Sequence, residues 1–361
     1  MPKTVKNFNV GPSELFHGVA DFLIDGLKND DFIIPHRGPA FSEMYKNTEK
    51  AFYDFFEIPD DYSLFFTYSA TEGMDILIEG VVDDSITHIS NGDFGDLFSD
   101  LSKTLQKDVN LIKNIRGSRV EVDEMIVPTD VLALTANDTS TGVEYTSEDF
   151  KEIRNKFSEQ LILVDATSSF GALYYDISSA DAWLFSVQKN LGLPSGLGLL
   201  LVNDKIIQKA GKRQENGVNI GGHHNILSLN SFYSNYQTPS TPNIMLIQAL
   251  AFVIGAYKAH FGDIYGLEKY TLEKAEYFYS MIEKIDTVSV LNTGKGKSKT
   301  TFVLDVPDGD VYDYIFSLLQ GEGYSVSPGY GKFKEKNIRV ANFPIHSRND
   351  IEELFKVFHH Q

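Results

Sequence analysis

The chain has 361 residues, so one large or two ordinary domains are expected, and with 42% hydrophobic residues it can bury a real core. Fifty acidic against 32 basic residues leave a formal charge of -18, a field that repels nucleic acid and anionic membranes and so excludes both as expected partners. Cysteine is absent, which removes disulfides, thiolate metal sites and thiol nucleophiles.

In chain order, Met1-Pro2-Lys3-Thr4-Val5 lacks the apolar stretch of a signal peptide, and a cytoplasmic location is expected. Asn7-Phe8-Asn9-Val10-Gly11-Pro12 reads as an extended arm, after which Ser13 caps a helix reaching about Asn29. Phe41, Met44, Tyr45, Phe52, Phe55 and Phe56 predict a second helix over 41–56. Short apolar runs at 64–68, 86–89, 131–134, 161–164, 182–187 and 198–202 then alternate with amphipathic segments, such as Met74, Leu77, Ile78 and Val81. Buried strands separated by helices predict an α/β fold with a mostly parallel sheet, whose site lies at the carboxyl ends of its strands. Helices follow at 243–260 and 267–285, then a strand at 301–306, a helix at 311–319, a strand at 337–341 and a last helix from Asn349. The apolar run from Ile244 to Tyr257, interrupted by Gln248, is read as too short to cross a bilayer. The expected division is an N-terminal arm over 1–15, a large domain over 16–255 and a smaller C-terminal α/β domain over 256–361.

Polar residues just past the strands carry the candidate chemistry. Ser69-Ala70-Thr71-Glu72-Gly73 opens a helix with small residues, as a phosphate cradle or as a plain N-cap. Asn137 to Gly142 is a polar loop at a strand end, which also reads as simple punctuation. Asp165 ends a buried strand, where a carboxylate requires a cation or hydrogen bonds; helix capping is its alternative role. Lys189 leaves an apolar strand, where desolvation lowers its pKa and frees a neutral amine to condense with an aldehyde; a lysine reaching out to solvent is the alternative. Together the three groups match the needs of pyridoxal 5'-phosphate: an anion site, a carboxylate for the ring nitrogen and an amine for a Schiff base.

These stretches resemble class V aminotransferases of the fold type I pyridoxal-phosphate superfamily, with the phosphoserine aminotransferase branch nearest. The resemblance is carried by Phe8-Asn9-Val10-Gly11-Pro12, His36-Arg37-Gly38, Ser69-Ala70-Thr71-Glu72, Asn91-Gly92-Asp93-Phe94-Gly95 and Asn137 to Gly142. It continues through Asp165 to Ser169, Ser186-Val187-Gln188-Lys189-Asn190-Leu191-Gly192 and Thr238-Pro239-Ser240-Thr241-Pro242. It implies a large domain with a seven-stranded sheet flanked by helices, followed by a small α/β domain. By position it implies Lys189 as the Schiff-base lysine and Asp165 as the pyridinium partner. Ser69, Ala70, Thr71 and Gln188 would lie at the cofactor phosphate, Thr139 beside the cofactor and Phe94 stacked on its ring. Thr238, after Gln237, would reach the cofactor of a partner subunit, which implies a homodimer with shared sites. Arg339 would grip the substrate α-carboxylate, and His36 and Arg37 the side-chain phosphate or γ-carboxylate. The implied substrates are small amino acids and 2-oxo acids. The preferred pair is glutamate with 3-phosphohydroxypyruvate in serine biosynthesis; the alternatives are an alanine–glyoxylate or serine–pyruvate transaminase and, more remotely, a binding protein of the same fold without turnover. The chain departs from the branch at Thr71 and at Lys332-Phe333, where relatives carry arginine and a His-Arg pair.

Other signals carry no chemistry in this reading. Gly294-Lys295-Gly296-Lys297-Ser298 lacks the leading glycine of a nucleotide-binding loop and reads as a flexible hairpin connection. Gly221-Gly222-His223-His224 has no acidic or histidine partner at ligand spacing, so no metal is expected. His359-His360 reads as a frayed end.

Overall fold

The structure, a computed structural model, describes residues 5–306 and 308–358. The expected fraying of His359-His360 and the segment Met1 to Thr4 lie outside the described residues.

The strands in chain order are β1 (Lys6–Phe8), β2 (Tyr62–Thr67), β3 (Ser85–Ser90), β4 (Asp108–Lys113), β5 (Val131–Thr135), β6 (Asn137–Asp138), β7 (Val143–Glu144), β8 (Leu161–Asp165), β9 (Ala182–Ser186), β10 (Gly198–Asn203), β11 (Ser289–Val290), β12 (Thr301–Asp305), β13 (Tyr324–Pro328) and β14 (Asn337–Ala341). The helices are α1 (Val19–Lys28), α2 (Pro39–Phe56), α3 (Ala70–Val81), α4 (Asp93–Thr104), α5 (Ser147–Lys156), α6 (Asp204–Glu215), α7 (Ile226–Tyr233), α8 (Ile244–Phe261), α9 (Ile264–Ile282), α10 (Gly309–Gly321) and α11 (Arg348–Phe358).

A seven-stranded sheet runs in the order β2-β10-β9-β8-β5-β3-β4. β4, β3, β5, β8 and β9 pair in parallel, and β10 runs antiparallel to both β9 and β2. Its central strands are buried along their whole length, which is why they read as unbroken apolar runs. One face packs on α2 and α8, where Phe52, Phe185, Leu199 and Leu250 share a core. The other packs on α3 and α6, through Met74, Leu77, Leu184 and Ile206. The expected fold class is therefore observed.

The second sheet has the order β1-β13-β14-β12-β11 and packs on α9, α10 and α11 around Phe278, Phe302, Ile315 and Leu354. The N-terminal arm supplies its first strand, because β1 pairs in parallel with β13. Sequence reading missed β4, whose partly exposed residues hide the alternation, and β13, a mixed run ending in Pro328.

Three expectations are corrected. Ser13 does not cap a helix: its N–H donates to Gln188 O at 3.0 Å, Phe16 N–H donates to Gly192 O at 2.8 Å, and α1 begins only at Val19. α8 spans 18 residues with a mean hydropathy of 1.5, so by length and composition it could cross a membrane. Here Ile247, Leu250, Val253 and Tyr257 bury one side of it in the core. The 294–298 connection is pinned rather than flexible: Gly296 O accepts from Glu144 N at 2.8 Å, and Ser298 N donates to Gly142 O at 2.9 Å.

Candidate active site

Four strand ends converge on one cavity of about 260 Å³ between the two sheets. Register explains the meeting. Asp165 closes β8 opposite Leu184 of β9 on one side and Thr135 of β5 on the other. β9 ends two residues later, and the turn after it carries Gln188 and Lys189. The segment after β5 supplies Asn137 and Thr139, and the N-terminus of α3, after β2, supplies Ser69, Ala70 and Thr71. Arg339 of β14 and Tyr330 of the β13–β14 connection close the cavity from the small sheet.

Asp165 is 3% exposed. Thr167 holds one of its oxygens twice, from N–H at 2.9 Å and from the hydroxyl at 2.5 Å. Burial raises its pKa, opposed by those bonds and by the Lys189 charge. Lys189 is 8% exposed, and its amine lies 5.2 Å from the Phe94 ring centroid. Burial lowers its pKa to about 8, against the attraction of Asp165. Both groups are thus pushed toward neutrality, which suits an amine that condenses with an aldehyde and a carboxylate that requires a cation beside it.

Close packing holds the lysine from behind. Gly11 has φ +136°, and a Cβ there would stand 2.9 Å from Lys189 Cε. Phe94, in the first turn of α4, is fixed through Asp138, whose carboxylate accepts the N–H groups of Phe94 and Gly95 at 3.1 Å each.

The α3 end is more specialised than a plain cap. Ser69 Oγ accepts Glu72 N–H at 3.1 Å, the expected capping role. Ala70 N–H donates to Ser186 Oγ at 2.7 Å, which leaves the serine's own proton free to donate. Gly198 of β10 lets this turn approach, since a Cβ there would lie 2.4 Å from the Ser69 carbonyl carbon. The helix dipole of α3 points positive potential at the cavity.

Arg339 is 8% exposed; its Nε donates to Pro328 O at 2.7 Å and its guanidinium sits 5.7 Å from the Tyr330 ring centroid. Thr139 is 1% exposed and its hydroxyl has no protein partner among the described residues. An orphaned hydroxyl, a buried amine and a buried carboxylate around one slot fit a flat, polar-edged ring, and Phe94 offers that ring an apolar face.

Nine of the expected residues therefore line one cavity: Ser69, Ala70, Thr71, Phe94, Thr139, Asp165, Gln188, Lys189 and Arg339. His36, Arg37, Gln237 and Thr238 do not line it. They form a second cluster, in which Arg37 donates to Thr238 O at 2.7 Å and to Pro239 O at 2.8 Å and stacks 4.2 Å over Phe232. Gln237 donates to Arg37 O at 3.4 Å, and His36 Nδ1 lies 3.2 Å from Thr241 Oγ1. Arg37 thus spends both terminal nitrogens on backbone carbonyls. His224 does have an acidic neighbour, Glu72 at 2.9 Å, which lies 152 positions away and so beyond any spacing rule. Sequence reading also missed Thr167, Ser186 and Tyr330. The first two stand inside quoted motifs, while nothing in its neighbourhood marks Tyr330.

A buried amine and a buried carboxylate lining one cavity at the rim of such a sheet suit a pyridoxal-phosphate enzyme. The chain belongs to the class-V aminotransferases, whose family model matches residues 9–331. It is 24% identical over 352 residues to the phosphoserine aminotransferase of a Nocardioides species, covering 96% of this chain and 92% of that one. A crystal structure of a phosphoserine aminotransferase from Cytophaga hutchinsonii is 32% identical, covers 99% of both chains and superimposes with a TM-score of 0.94. An alanine–glyoxylate aminotransferase from Nostoc sp. shares the fold at 19% identity, covering 100% of this chain and 96% of that one with a TM-score of 0.86.

Proposed function

We propose that this aminotransferase exchanges an amino group between phosphoserine and 2-oxoglutarate, in serine biosynthesis and in the cytoplasm. The observation that carries the reading is the convergence of Lys189, Asp165 and Arg339 on one cavity. The Cytophaga and Nocardioides relatives support the substrate choice.

The cofactor, when bound, withdraws electrons from the substrate Cα and makes its proton acidic. Lys189 would be the amine that condenses with the cofactor aldehyde, with loss of water, and its freed amine would serve as the base and then the acid for the substrate Cα proton. Asp165, locked by Thr167, keeps the ring nitrogen protonated. Ser69, Ala70, Thr71 and Gln188 hold the phosphate with the α3 dipole, and Ser186 adds a donor. Phe94 would offer the ring an apolar face, and the unpartnered Thr139 hydroxyl would meet its polar edge. Arg339 takes the α-carboxylate with a planar, bidentate fork.

Among the described residues lining the cavity, Lys189 and Arg339 are the cations. A phosphate on the substrate side chain therefore requires charge from elsewhere. We assign it to His36 and Arg37 of a partner subunit, with the partner's Gln237 and Thr238 reaching the cofactor phosphate, so that the working unit is a homodimer with shared sites. The division into an arm over 1–15, a large domain over 16–255 and a small domain over 256–361 is part of the same proposal.

The test is the conversion of the bound cofactor's absorbance as phosphoserine, glutamate or alanine is added to the purified enzyme. Phosphoserine and glutamate are expected to convert it at micromolar to millimolar concentrations. Conversion by alanine with no response to phosphoserine would replace this reading with an alanine–glyoxylate type.

A further inference from the structure

Beside the cavity, the guanidinium of Arg116 joins three separate pieces of the molecule. Its Nη1 meets Asp93 Oδ2 at 3.0 Å, in the first turn of α4. Its Nη2 donates to Ser140 O at 2.6 Å, in the turn between β6 and β7. Its flat face lies 3.8 Å from the ring centroid of Phe333, which belongs to the small sheet's connection. Each of these contacts is one residue to three residues from a side chain that lines the cavity. Asp93 precedes Phe94, Ser140 follows Thr139, and Phe333 follows Tyr330. Tyr330 in turn packs on Phe94 with ring centroids 5.3 Å apart, and it lies under the Arg339 guanidinium.

Tyr330 is 43% exposed and is joined to Phe333 by a short helical turn in which Phe333 N–H donates to Tyr330 O at 3.0 Å. The ring has little burial of its own to hold it over the cavity. The Arg116 contact adds a second tie between that turn and the large sheet beside the Tyr330–Phe94 packing, and a guanidinium over an aromatic face is a directional one.

We propose that Arg116 is a positioning residue: it clasps the 331–333 turn to the start of α4 and so fixes Tyr330 as the small-domain wall of the substrate site. The inference rests on reading this cavity as the substrate site. Arg116 itself does not line the cavity, so it acts through Tyr330 and Phe94. A flat cation is required, because the ion pair to Asp93 and the stack on Phe333 use the edge and the face of one group.

The test uses the holoenzyme and whichever of phosphoserine, glutamate or alanine the wild type turns over. Arg116→Met is expected to raise KM for the amino donor about tenfold, the loss of one partly buried stacked contact, with kcat within about threefold of wild type. The absorption band of the bound cofactor is expected to be unchanged. Arg116→Lys, which keeps the charge but not the flat face, should recover only part of the loss. Phe333→Leu should reproduce it, and the double variant should be no worse than the poorer single one. Lys113→Met, which removes a nearby exposed charge, serves as the control and should leave KM unchanged. Wild-type KM in either Arg116→Met or Phe333→Leu, or fully additive losses in the double variant, would overturn the clasp. A role in folding alone would instead lower the melting temperature, cofactor content and both kinetic constants together. Should phosphoserine prove not to be the donor, the choice of substrate falls while the clasp is still measured on the true one.

Discussion

At the scale of single residues, the proposed chemistry needs an amine and a carboxylate that burial drives toward neutrality. Lys189→Ala should lower turnover by at least about a hundredfold to ten-thousandfold, the contribution of a positioned acid–base group, with the melting temperature little changed. Purified variant assayed by coupled turnover and by thermal scanning would check this. Asp165→Asn, close in shape, should slow Cα–H cleavage while Thr167 still holds the side chain. A primary deuterium isotope effect at Cα larger than that of the wild type is the expected sign. The lowered pKa of Lys189 also has a direct readout in the cofactor-free enzyme. The neutral amine is the reactive form, so the rate of reloading with pyridoxal phosphate should rise with pH and level off around the value of about 8, not near the ordinary lysine value of 10.5. The same shift carries a stability sign. Between about 8 and 10.5 the unfolded chain binds the extra proton, so the cofactor-free protein gains stability as pH rises through that window and loses it as pH falls through about 8. Lys189→Met should flatten that slope in thermal scans.

At the scale of elements, the cavity is made by strand ends and by one close-packed turn. Ser69→Ala should cost about 1 kcal/mol of stability as a lost cap, measurable by denaturant unfolding. Gly198→Ala should do something different. Its methyl would press on the Ser69 carbonyl and displace the proposed phosphate cradle, so cofactor should be lost on dialysis faster than the stability change alone explains. How legible these parts were in the sequence follows from their physics. β5, β8, β9 and β10 are buried on both faces and read as apolar runs, so the sheet and the places of Asp165 and Lys189 could be inferred. β4 and β13 are partly exposed, which blurs their pattern. The start of α1 was misjudged because a serine in capping position spends its N–H on a distant loop, and no local rule reports that. Tyr330 and Thr167 escaped for a similar reason. Tyr330 is brought in by a turn of the other sheet, and Thr167 acts through a contact two residues back that looks like ordinary turn chemistry.

At the scale of the whole molecule, two clusters stand apart in one chain: the cavity, and the group of His36, Arg37, Gln237 and Thr238. Shared sites in a homodimer would unite them. Subunits carrying Lys189→Ala and Arg37→Ala, each impaired alone, should regain activity when mixed in one dimer. Such a dimer has one site with both residues intact and should run at about half the wild-type rate. Activity no greater than the mean of the two parents would place Arg37 outside any shared site.

The point at which the cofactor joins the chain can be fixed chemically. The purified enzyme is reduced with borohydride, which fixes any imine bond to the chain, then digested and mapped by mass spectrometry. The pyridoxyl group is expected on Lys189, in the peptide containing Gln188 and Asn190, and Lys189→Ala should leave the chain unlabelled. Label on any other lysine, or none on a protein that still transaminates, would contradict the account.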